Sequence, residues 1–337
     1  MSKRVSIVAA MAGLLLAISP ALAQTKIRFT LDWKFEGPAT PYLVAVDKGY
    51  YKDEGLDVTV DPGNGSVDSV NRVASGTYDM AFADISSLIK FRDNKDNAAV
   101  RAVLMVYDAP PNSIITLKKT GIKTPKDLEG KILGAPATDA SYSVWPIFAR
   151  ANGIDVSKVK IENIGFPVRE PMLAQGKVDA VTGFYFSSFF NLKSNGVADD
   201  DIVFLMMRDL GVEVYGNAIM VNPNFEKANP KAVAGFVRAT IKGLQETIKN
   251  PDAAIKSLIS RNQIVAEATE LQRLKMALDR NIVTTETKAN GIGAVDMARL
   301  ARSIDQIALT FDFKSKPKPE DIFDAQYLPA RDQRSVQ

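Results

Sequence analysis

Cysteine and histidine are both absent from the 337-residue sequence. Without cysteine the chain has no disulfides and no lipid-modified cysteine, so its fold must rest on its hydrophobic core. Without histidine it has no imidazole base for a serine or cysteine triad, and zinc and iron–sulfur centres lose their usual ligands. We therefore expect a protein that is not an enzyme and that holds no metal and no cofactor.

Other absences narrow the class of protein further. No phosphate-binding loop or dinucleotide fingerprint is present, because Gly63-Asn64-Gly65 is too short to be one. The formal net charge of +3 falls to +1 without Lys3 and Arg4, which carry +2, so nucleic acid is not an expected partner. No second apolar run reaches the length of a membrane span. At 337 residues the chain is longer than one compact core usually holds, and its apolar fraction of 46% predicts a globular protein.

The N-terminus has the layout of a secretory signal peptide. Lys3 and Arg4 precede an apolar stretch at 5–18, and Ala21-Leu22-Ala23 is a small-x-small cleavage signature. An uncleaved membrane anchor is the alternative, although the apolar stretch is short for a span. We expect export to the periplasm as a released protein that is not lipid-anchored.

Past residue 24 the sequence alternates between strand-like and helix-like segments, which is typical of a parallel α/β sheet. Strands are predicted at 26–31, 56–60 and 80–83. The segment 74–82 is echoed by 174–182: each runs from a helix end through a glycine into an apolar strand, with Asp79 and Asp179 at equivalent positions. The echo predicts two lobes of similar topology, although helix-stop chemistry alone would also produce it.

A two-lobed chain must cross between its lobes and return. Extended runs within 102–117 and at 214–221 are interpreted as these two hinge crossings. The predicted division is a signal peptide at 1–23, lobe 1 at 24–112 and 215–337, and lobe 2 at 113–214.

Leu31-Asp32-Trp33 and the run AVDKGYYKDEGLDV at 45–58 resemble the opening of the nitrate/sulfonate/taurine and thiamine-pyrimidine-precursor family of periplasmic binding proteins. The resemblance continues at 74–79, 127–131 and 176–180. It implies an α/β, type II periplasmic-binding-protein fold, with two Rossmann-like lobes joined by a two-crossing hinge that closes on a small-molecule solute. Some relatives in the pyrimidine branch are synthases that consume their own histidine and need a cysteine cluster, and this chain has neither.

The same resemblance implies partners. A binding protein of this family delivers its solute to the permease and ATPase subunits of an ABC importer in the inner membrane, and we expect it to be a monomer. A solute-sensing subunit that presents its ligand to a membrane receptor is the alternative.

Five candidate ligand-binding residues lie in the first predicted lobe. Trp33 offers a flat face for stacking, or packs in the core, and Tyr42 offers a hydroxyl. Gly65 and Ser66 open a helix whose free N–H groups suit an anion or a carbonyl, unless Ser66 only caps that helix. Asp84 follows an apolar strand and is the carboxylate most favoured to meet a ligand donor, because a buried carboxylate needs a partner.

Five more candidates come from the second predicted lobe and the return crossing. Thr138, Asp139 and Ser141 occupy a loop before a helix, where N-capping alone would explain one of them. Tyr185 matches a position where the resembled family often has an aromatic residue, although core packing is the alternative for its neighbour Phe186. Glu213 lies near the return crossing.

The ligand itself remains open between two classes. Arg169 and Arg208 are the arginines that could approach the site, and acidic and aromatic residues dominate it. This balance favours a neutral or cationic ring with N–H donors, such as an aminopyrimidine, over nitrate or a sulfonate. Helix N-termini at 65–66 and 141–143 would nevertheless suit a small anion or an aromatic carboxylate.

Overall fold

The computed structural model describes residues 24–336, so the predicted signal peptide at 1–23 lies outside the described residues. The strands are β1 Thr25–Thr30, β2 Leu56–Asp61, β3 Met80–Asp84, β4 Arg101–Met105, β5 Asn112–Leu117, β6 Ile132–Ala135, β7 Lys160–Asn163, β8 Ala180–Phe184, β9 Ile202–Met206 and β10 Asn217–Val221. The α-helices are α1 Thr40–Asp47, α2 Tyr50–Asp53, α3 Ser66–Ala74, α4 Ile85–Phe91, α5 Ala140–Ser143, α6 Trp145–Ala151, α7 Arg169–Ala174, α8 Tyr185–Ser194, α9 Pro223–Ala228, α10 Pro230–Lys249, α11 Pro251–Ala254, α12 Lys256–Ile259, α13 Glu267–Ala277, α14 Thr285–Asn290, α15 Met297–Ala308 and α16 Pro319–Ile322.

Two five-stranded sheets form the centres of two lobes and share one strand order. Sheet A runs β2-β1-β3-β10-β4, and sheet B runs β7-β6-β8-β5-β9. In each sheet the first three strands are parallel, and the fourth in order, β10 or β5, is antiparallel to both neighbours. That strand has just crossed from the other lobe. The predicted α/β fold of the type II periplasmic-binding-protein class is confirmed, while the exact lobe boundaries stay a prediction.

The two connections between the sheets lie side by side. They are residues 106–111, between β4 and β5, and residues 207–216, between β9 and β10. The amide of Tyr107 donates to the carbonyl of Asn217 at 2.9 Å, and the amide of Gly216 donates back to the carbonyl of Tyr107 at 2.9 Å. The crossings therefore form a hydrogen-bonded ribbon, which is the expected form of a hinge.

A single arginine from α15 holds both crossings. Nη2 of Arg299 lies 2.9 Å from the carbonyl oxygen of Asp108 and 3.4 Å from that of Val214. Its Nη1 pairs with the carboxylates of Asp108 at 3.0 Å and Glu286 at 2.6 Å, and its guanidinium lies 3.8 Å from the ring centre of Tyr215. The helices that follow β10 thus brace the hinge.

The echo between 74–82 and 174–182 is a true structural equivalence. The Asp79 carboxylate accepts the amide of Arg28 at 2.8 Å, and the Asp179 carboxylate accepts the amide of Ile132 at 2.8 Å. In both cases the aspartate amide donates back to the same residue's carbonyl at 2.9 Å. Each aspartate therefore fixes the start of a parallel strand pair, as expected for residues that hold a turn.

Helix α10 covers sheet A with its apolar face. Its Phe236 is fully buried and packs 5.1 Å from the ring of Phe29 and 5.0 Å from the ring of Tyr51. These contacts attach the C-terminal helices to lobe 1. Between residues 24 and 336, no helix combines the length and the apolar character that crossing a membrane requires.

Candidate ligand-binding site

The candidate site is the cleft between the two lobes, at the carboxyl ends of the parallel strands. The residues that follow β1 form one wall, and β8 continues into α8 at the opposite wall. Open parallel sheets bind ligands at this end of their strands. Two adjoining compartments occupy the cleft, with empty volumes of about 360 and 320 Å³, part of which is open to solvent.

The first compartment is mainly apolar, and we call it the aromatic compartment. Four of its rings adjoin one another: the ring of Phe82 lies 5.1 Å from that of Tyr107 and 5.4 Å from that of Tyr42, and Tyr107 lies 6.3 Å from Phe186. A flat apolar ring would find stacking or edge contacts here. The compartment is lined by Leu31, Asp32, Trp33, Lys34, Glu36, Pro38, Ala39, Tyr42, Phe82, Tyr107, Phe184, Phe186 and Ser187.

The second compartment carries more polar groups, and we call it the polar compartment. Four residues line both compartments, so they form a common wall: Asp32, Trp33, Phe184 and Ser187. The remaining lining residues of the polar compartment are Gly65, Ser66, Asp139, Ala140, Phe166 and Arg169.

Trp33 stands in this common wall and joins the lobes through its ring. The ring meets Phe166 edge-on, with 4.6 Å between the ring centres. The guanidinium of Arg169 lies 5.8 Å from the Trp33 ring and 5.4 Å from the Phe166 ring. The indole Nε1 of Trp33 is buried and has no hydrogen-bond partner among the described residues. It is therefore a donor that a ligand acceptor would satisfy.

Arg169 is already neutralised by its neighbour. It is 3% exposed, its Nη2 lies 2.7 Å from Oε1 of Glu170, and its Nε lies 2.8 Å from the same oxygen. The hydroxyl of Ser188 also donates to Glu170 at 2.7 Å. Since the pair is buried and complete, Arg169 adds little net positive charge for a ligand anion.

Asp32 is the carboxylate that both compartments share. It is 7% exposed and accepts hydrogen bonds from Nδ2 of Asn217 at 2.7 Å and from the hydroxyl of Ser66 at 3.3 Å. Burial raises the pKa of Asp32 to about 7, although these two hydrogen bonds act in the opposite direction. A ligand that offers an N–H donor or a positive charge would favour the ionised carboxylate.

Asp139 supplies a second carboxylate to the polar compartment. Its side chain accepts the amide of Ser141 at 3.3 Å, and so caps α5, and it accepts the hydroxyl of Thr182 at 2.5 Å. Burial raises the pKa of Asp139, and the nearby Arg169 partly offsets that shift. The polar compartment therefore contains two carboxyl groups, Asp32 and Asp139, whose pKa burial raises.

A network of charged residues bridges the lobes beside the aromatic compartment. The hydroxyl of Ser187, on α8, donates to Oε2 of Glu36 at 2.7 Å, across the cleft. Glu36 also faces Arg273 at 3.3 Å, and Arg273 pairs with Glu270 at 2.6 Å. Because Ser187 and Glu36 belong to opposite walls, this hydrogen bond joins the two lobes across the cleft.

Five of the ten predicted ligand-binding residues line the cleft. They are Trp33, Tyr42, Gly65, Ser66 and Asp139. The hydroxyl of Ser66 does not cap its own helix; it donates to Asp32 and accepts the amide of Asp84 at 3.0 Å. The capping role considered for Ser66 is therefore wrong, while the ligand roles of all five stay predictions.

The other five lie outside both compartments, each with a structural task. Asp84 is fully buried and caps α4 by accepting the amides at 86 and 87, and burial raises its pKa to about 7. The hydroxyl of Thr138 donates to the carbonyl of residue 64 at 3.0 Å, across the rim of the cleft. Ser141 is fully buried beside Asn112. The ligand roles of Asp84, Thr138 and Ser141 stay predictions.

Tyr185 and Glu213 are also placed away from the compartments. Tyr185 is 1% exposed, and its hydroxyl lies 2.9 Å from the carbonyl of Met276 and 3.1 Å from Oδ1 of Asn281, so it joins α8 to lobe 1. Glu213 is exposed, and its amide donates to Gln306 of α15 at 2.8 Å. Their structural roles concern the lobe interface and the hinge.

The two helix N-termini predicted to suit an anion, those of α3 and α5, differ in their capping. At α5 the side chain of Asp139 occupies the N-terminus. At α3 no side chain caps the N-terminus, and Gly65 has a φ of 98°. A Cβ at Gly65 would lie 2.5 Å from the carbonyl oxygen of Thr138, so only glycine permits this close approach of the lobes.

Several cleft residues were not among the predicted candidates. Asp32 was quoted only as part of a family motif, because nothing local distinguishes its carboxylate from that of Asp84. Phe184 is the last residue of β8 and Ser187 lies in the first turn of α8, on either side of the predicted Tyr185. Arg169 does reach the cleft, whereas Arg208 instead donates to the carbonyl of Arg280.

Acidic side chains in the described part of the chain do not gather into a group of three or more that could hold a metal ion. The carboxylates of the cleft are instead engaged by hydroxyl, amide and guanidinium donors.

A two-lobed fold with an aromatic, acid-lined cleft at the facing strand ends defines a class: a solute-binding protein of the type II periplasmic-binding-protein fold. Within this class the chain belongs to the family described as NMT1/THI5 like, which it matches over residues 38–254. The family resemblance expected from residues 31–58 is thereby confirmed.

Relatives in this family carry names of two kinds. The formylaminopyrimidine-binding protein of Halalkalibacterium halodurans is 28% identical over 251 residues, which cover 74% of each chain. The riboflavin-binding protein RibY of Chloroflexus aurantiacus is 29% identical over 217 residues, 64% of this chain and 60% of RibY. Others are named 4-amino-5-hydroxymethyl-2-methylpyrimidine phosphate synthases.

Solved structures show the fold. The periplasmic aliphatic sulphonate binding protein SsuA from Escherichia coli matches with a TM-score of 0.68 and 15% identity, over 93% of this chain and 98% of SsuA. At this identity the likeness concerns the fold and not the ligand.

Proposed function

We propose that this chain is the extracytoplasmic solute-binding subunit of an ABC importer, which captures a small ring with N–H donors, of the aminopyrimidine type, by closing its two lobes. Permease and ATPase subunits in the inner membrane are the proposed partners, and the periplasm is the proposed location. A membrane receptor that reads the liganded form is the alternative partner.

One observation carries the ligand class: the cleft joins aromatic faces to two buried carboxyl groups, those of Asp32 and Asp139, that form no salt bridge among the described residues. Arg169 is the one arginine among the described residues lining the compartments, and Glu170 already neutralises it. Asp32 and Asp139 have hydrogen-bond donors but no ion-pair partner among the described residues. An anion would be repelled by these groups, whereas an amino group would be attracted. The relative named for formylaminopyrimidine binding supports the same class.

A binding role is favoured over the synthase role for which other relatives are named. The chain has no histidine and no cysteine, so a reaction that consumes a histidine and needs a cysteine cluster has no residues to act on. The contacts between Ser187 and Glu36, and between Thr138 and residue 64, join the two lobes across the cleft and support a binding mechanism in which the lobes close on the ligand. Closure of this kind is the working cycle of a transport protein.

Anionic ligands form the second candidate, and the uncapped N-terminus of α3 favours it. Gly65 and Ser66 line the polar compartment together with Arg169, and the N-terminus of α3 would suit a sulfonate, nitrate or an aromatic carboxylate. The amide of Gly65, however, already donates to the carbonyl of Asp32 at 2.8 Å. The carboxylates of Asp32 and Asp139 in the same compartment oppose this.

Native mass spectrometry of the protein purified from its host tests the proposal, because it detects whatever solute is retained. Calorimetric titration with an aminopyrimidine, ethanesulfonate, nitrate and benzoate then ranks the classes. We expect binding of the aminopyrimidine and no heat from nitrate. A sulfonate or benzoate that binds more tightly than the aminopyrimidine would contradict the proposed ligand class and leave the fold unaffected.

A further inference from the structure

Positive charge is concentrated at one place on the surface, outside the cleft between the lobes. Four arginines and two acidic residues line a single open groove there, which we call the arginine groove: Glu286, Asp296, Arg299, Arg302, Arg331 and Arg334. None of the six lines either compartment of the cleft. Four positive and two negative side chains leave two positive charges in excess, so the groove is a candidate site for an anion.

The last turn of α14 brings two of these arginines together. Nε of Arg331 donates to the carbonyl oxygen of Ala289 at 2.7 Å, and Nη1 of Arg334 donates to that of Asn290 at 2.8 Å. Burial lowers the pKa of Arg334, and the positive charge of Arg331 lowers it further. The two guanidiniums are therefore close enough to repel each other, and an anion between them would relieve that repulsion.

Helix α15 supplies the other two arginines. Arg299 pairs with Glu286 at 2.6 Å, and Glu286 lies four residues before Asn290, which is about one turn of α14. Arg302 follows Arg299 by three positions, so the two side chains lie on the same side of α15. Arg302 is exposed, and its side chain makes no hydrogen bond or ion pair with the residues that the structure describes.

Many guanidinium donors in the groove have no acceptor within the described part of the chain. A guanidinium carries five N–H donors. Arg331 uses only its Nε, Arg334 leaves its Nη2 without a partner, and Arg302 uses none. The two acidic residues do not fill this need, because Glu286 is held by Arg299 and Asp296 caps α15. A molecule that satisfies these donors must carry several oxygen acceptors and more than one negative charge.

We propose that the arginine groove binds a divalent oxyanion of the phosphate type, held by Arg302, Arg331 and Arg334. Phosphate oxygens match the fork of N–H groups on a guanidinium, and a double negative charge equals the excess charge of the groove. Arg299 lines the groove and also holds both hinge crossings, so the bound oxyanion would lie beside the hinge. This inference is independent of the proposed function, because the groove and the cleft share no residue.

Calorimetric titration of the wild-type protein with sodium phosphate at pH 8 tests the site. Sodium chloride keeps the ionic strength constant at about 0.15 M, so that general screening of surface charge does not change during the titration. We expect saturable binding of one phosphate per chain, with sulfate as a competitor. Co-sedimentation with phosphatidylglycerol vesicles at the same ionic strength distinguishes a free oxyanion from a lipid headgroup, and we expect none.

A double variant locates the bound phosphate. Arg302→Gln combined with Arg331→Gln should lower the affinity for phosphate about tenfold, because each exposed charge pair contributes modestly. Arg150→Gln combined with Lys177→Gln is the matched control: it removes the same charge from two exposed residues outside the groove, and it should leave phosphate binding unchanged. Circular dichroism and thermal unfolding verify that each variant is folded.

A single variant keeps the test decisive if the double variant does not fold. The side chain of Arg302 has no contact to lose in the described protein, and Arg302→Gln alone should lower the affinity for phosphate about threefold.

Three results would overturn this inference: no saturable binding of phosphate, equal affinity in the wild type and the arginine variants, or an equal loss in the matched control. Co-sedimentation with vesicles in the absence of phosphate binding would also overturn it, and would assign the arginines to a membrane surface. None of these results concerns the ring ligand of the cleft, so the proposed function is tested separately.

Discussion

Replacing Asp32 by asparagine should weaken ligand binding and, at the same time, stabilise the empty protein. Both hydrogen bonds to the carboxylate, from Asn217 and Ser66, go to the same oxygen, Oδ2, so an amide oxygen can accept both. What the substitution removes is the negative charge and one acceptor. If that acceptor receives an amino group of the ligand, the loss is about 1.5 to 3 kcal/mol, or about ten- to a hundredfold in Kd.

The stability effect has the opposite sign because burial raises the pKa of Asp32 to about 7. The folded protein therefore keeps a proton that the unfolded chain, with a usual value near 4, has released. Between these two values the unfolded state binds fewer protons, so Asp32 makes the protein less stable as pH rises. The difference of about three pKa values sets a limit of about 4 kcal/mol. Asp32→Asn removes this cost, and its advantage should grow by about 2.6 kcal/mol between pH 5 and pH 8.

Calorimetric titration with an aminopyrimidine and urea unfolding at pH 5 and pH 8 measure the two effects. Asp84→Asn is the matched control: Asp84 is also buried with a pKa raised to about 7, but it caps α4 and lines neither compartment. We expect Asp84→Asn to gain stability at pH 8 without losing affinity. Weaker binding in Asp84→Asn together with unchanged binding in Asp32→Asn would refute this reasoning and restore Asp84 as the ligand's carboxylate.

Three further predictions concern the cleft. Trp33→Ala should lower the affinity for a ring ligand by at least about 1 kcal/mol, because a stacking face is lost; calorimetry that finds no change would place the ring elsewhere. Gly65→Ala should prevent full closure of the cleft, because its Cβ would lie 2.5 Å from the carbonyl oxygen of Thr138. Small-angle scattering with a saturating ligand should then show compaction of the wild-type protein and none of the variant. Finally, affinity for an aminopyrimidine should rise from pH 6 to pH 8, because Asp32 ionises over this range. Calorimetry on Asp32→Asn should show no pH dependence from this residue, so any dependence that remains comes from protonation of the ligand itself.

Much of the fold could be predicted because its signals are local. A glycine followed three residues later by an aspartate marks the entry to β3 and to β8, and the hydrogen bonds of Asp79 and Asp179 show why the pattern recurs. No local sequence pattern of this kind indicates that β5 and β10 insert antiparallel into their sheets. Each pairs with strands far away in the chain, so hydrophobic pattern alone identifies the strand and not its neighbours.

The site was harder to predict because local sequence does not reveal where a side chain points. Asp32 and Asp84 each lie at the end of an apolar strand, yet one faces the cleft and the other turns back to cap a helix. Arg169 begins helix α7, which does not directly follow a strand end at the cleft, and tertiary packing places its guanidinium 5.8 Å from the ring of Trp33. Trp33 could be predicted because it follows the first strand, and open parallel sheets bind their ligands at the carboxyl ends of the strands.

The order of strands in sheet A has a consequence for how the chain folds. β3 and β4 are joined only through β10, so this sheet remains in two pieces until the chain has been made as far as Val221. Sheet B is built from the uninterrupted stretch 112–206 and needs no later strand. Long-range pairings form slowly, and we therefore expect lobe 2 to fold first and lobe 1 to be completed last. Since the periplasm is the proposed location, we expect lobe 1 to stay incomplete until the residues of β10 have also crossed the membrane.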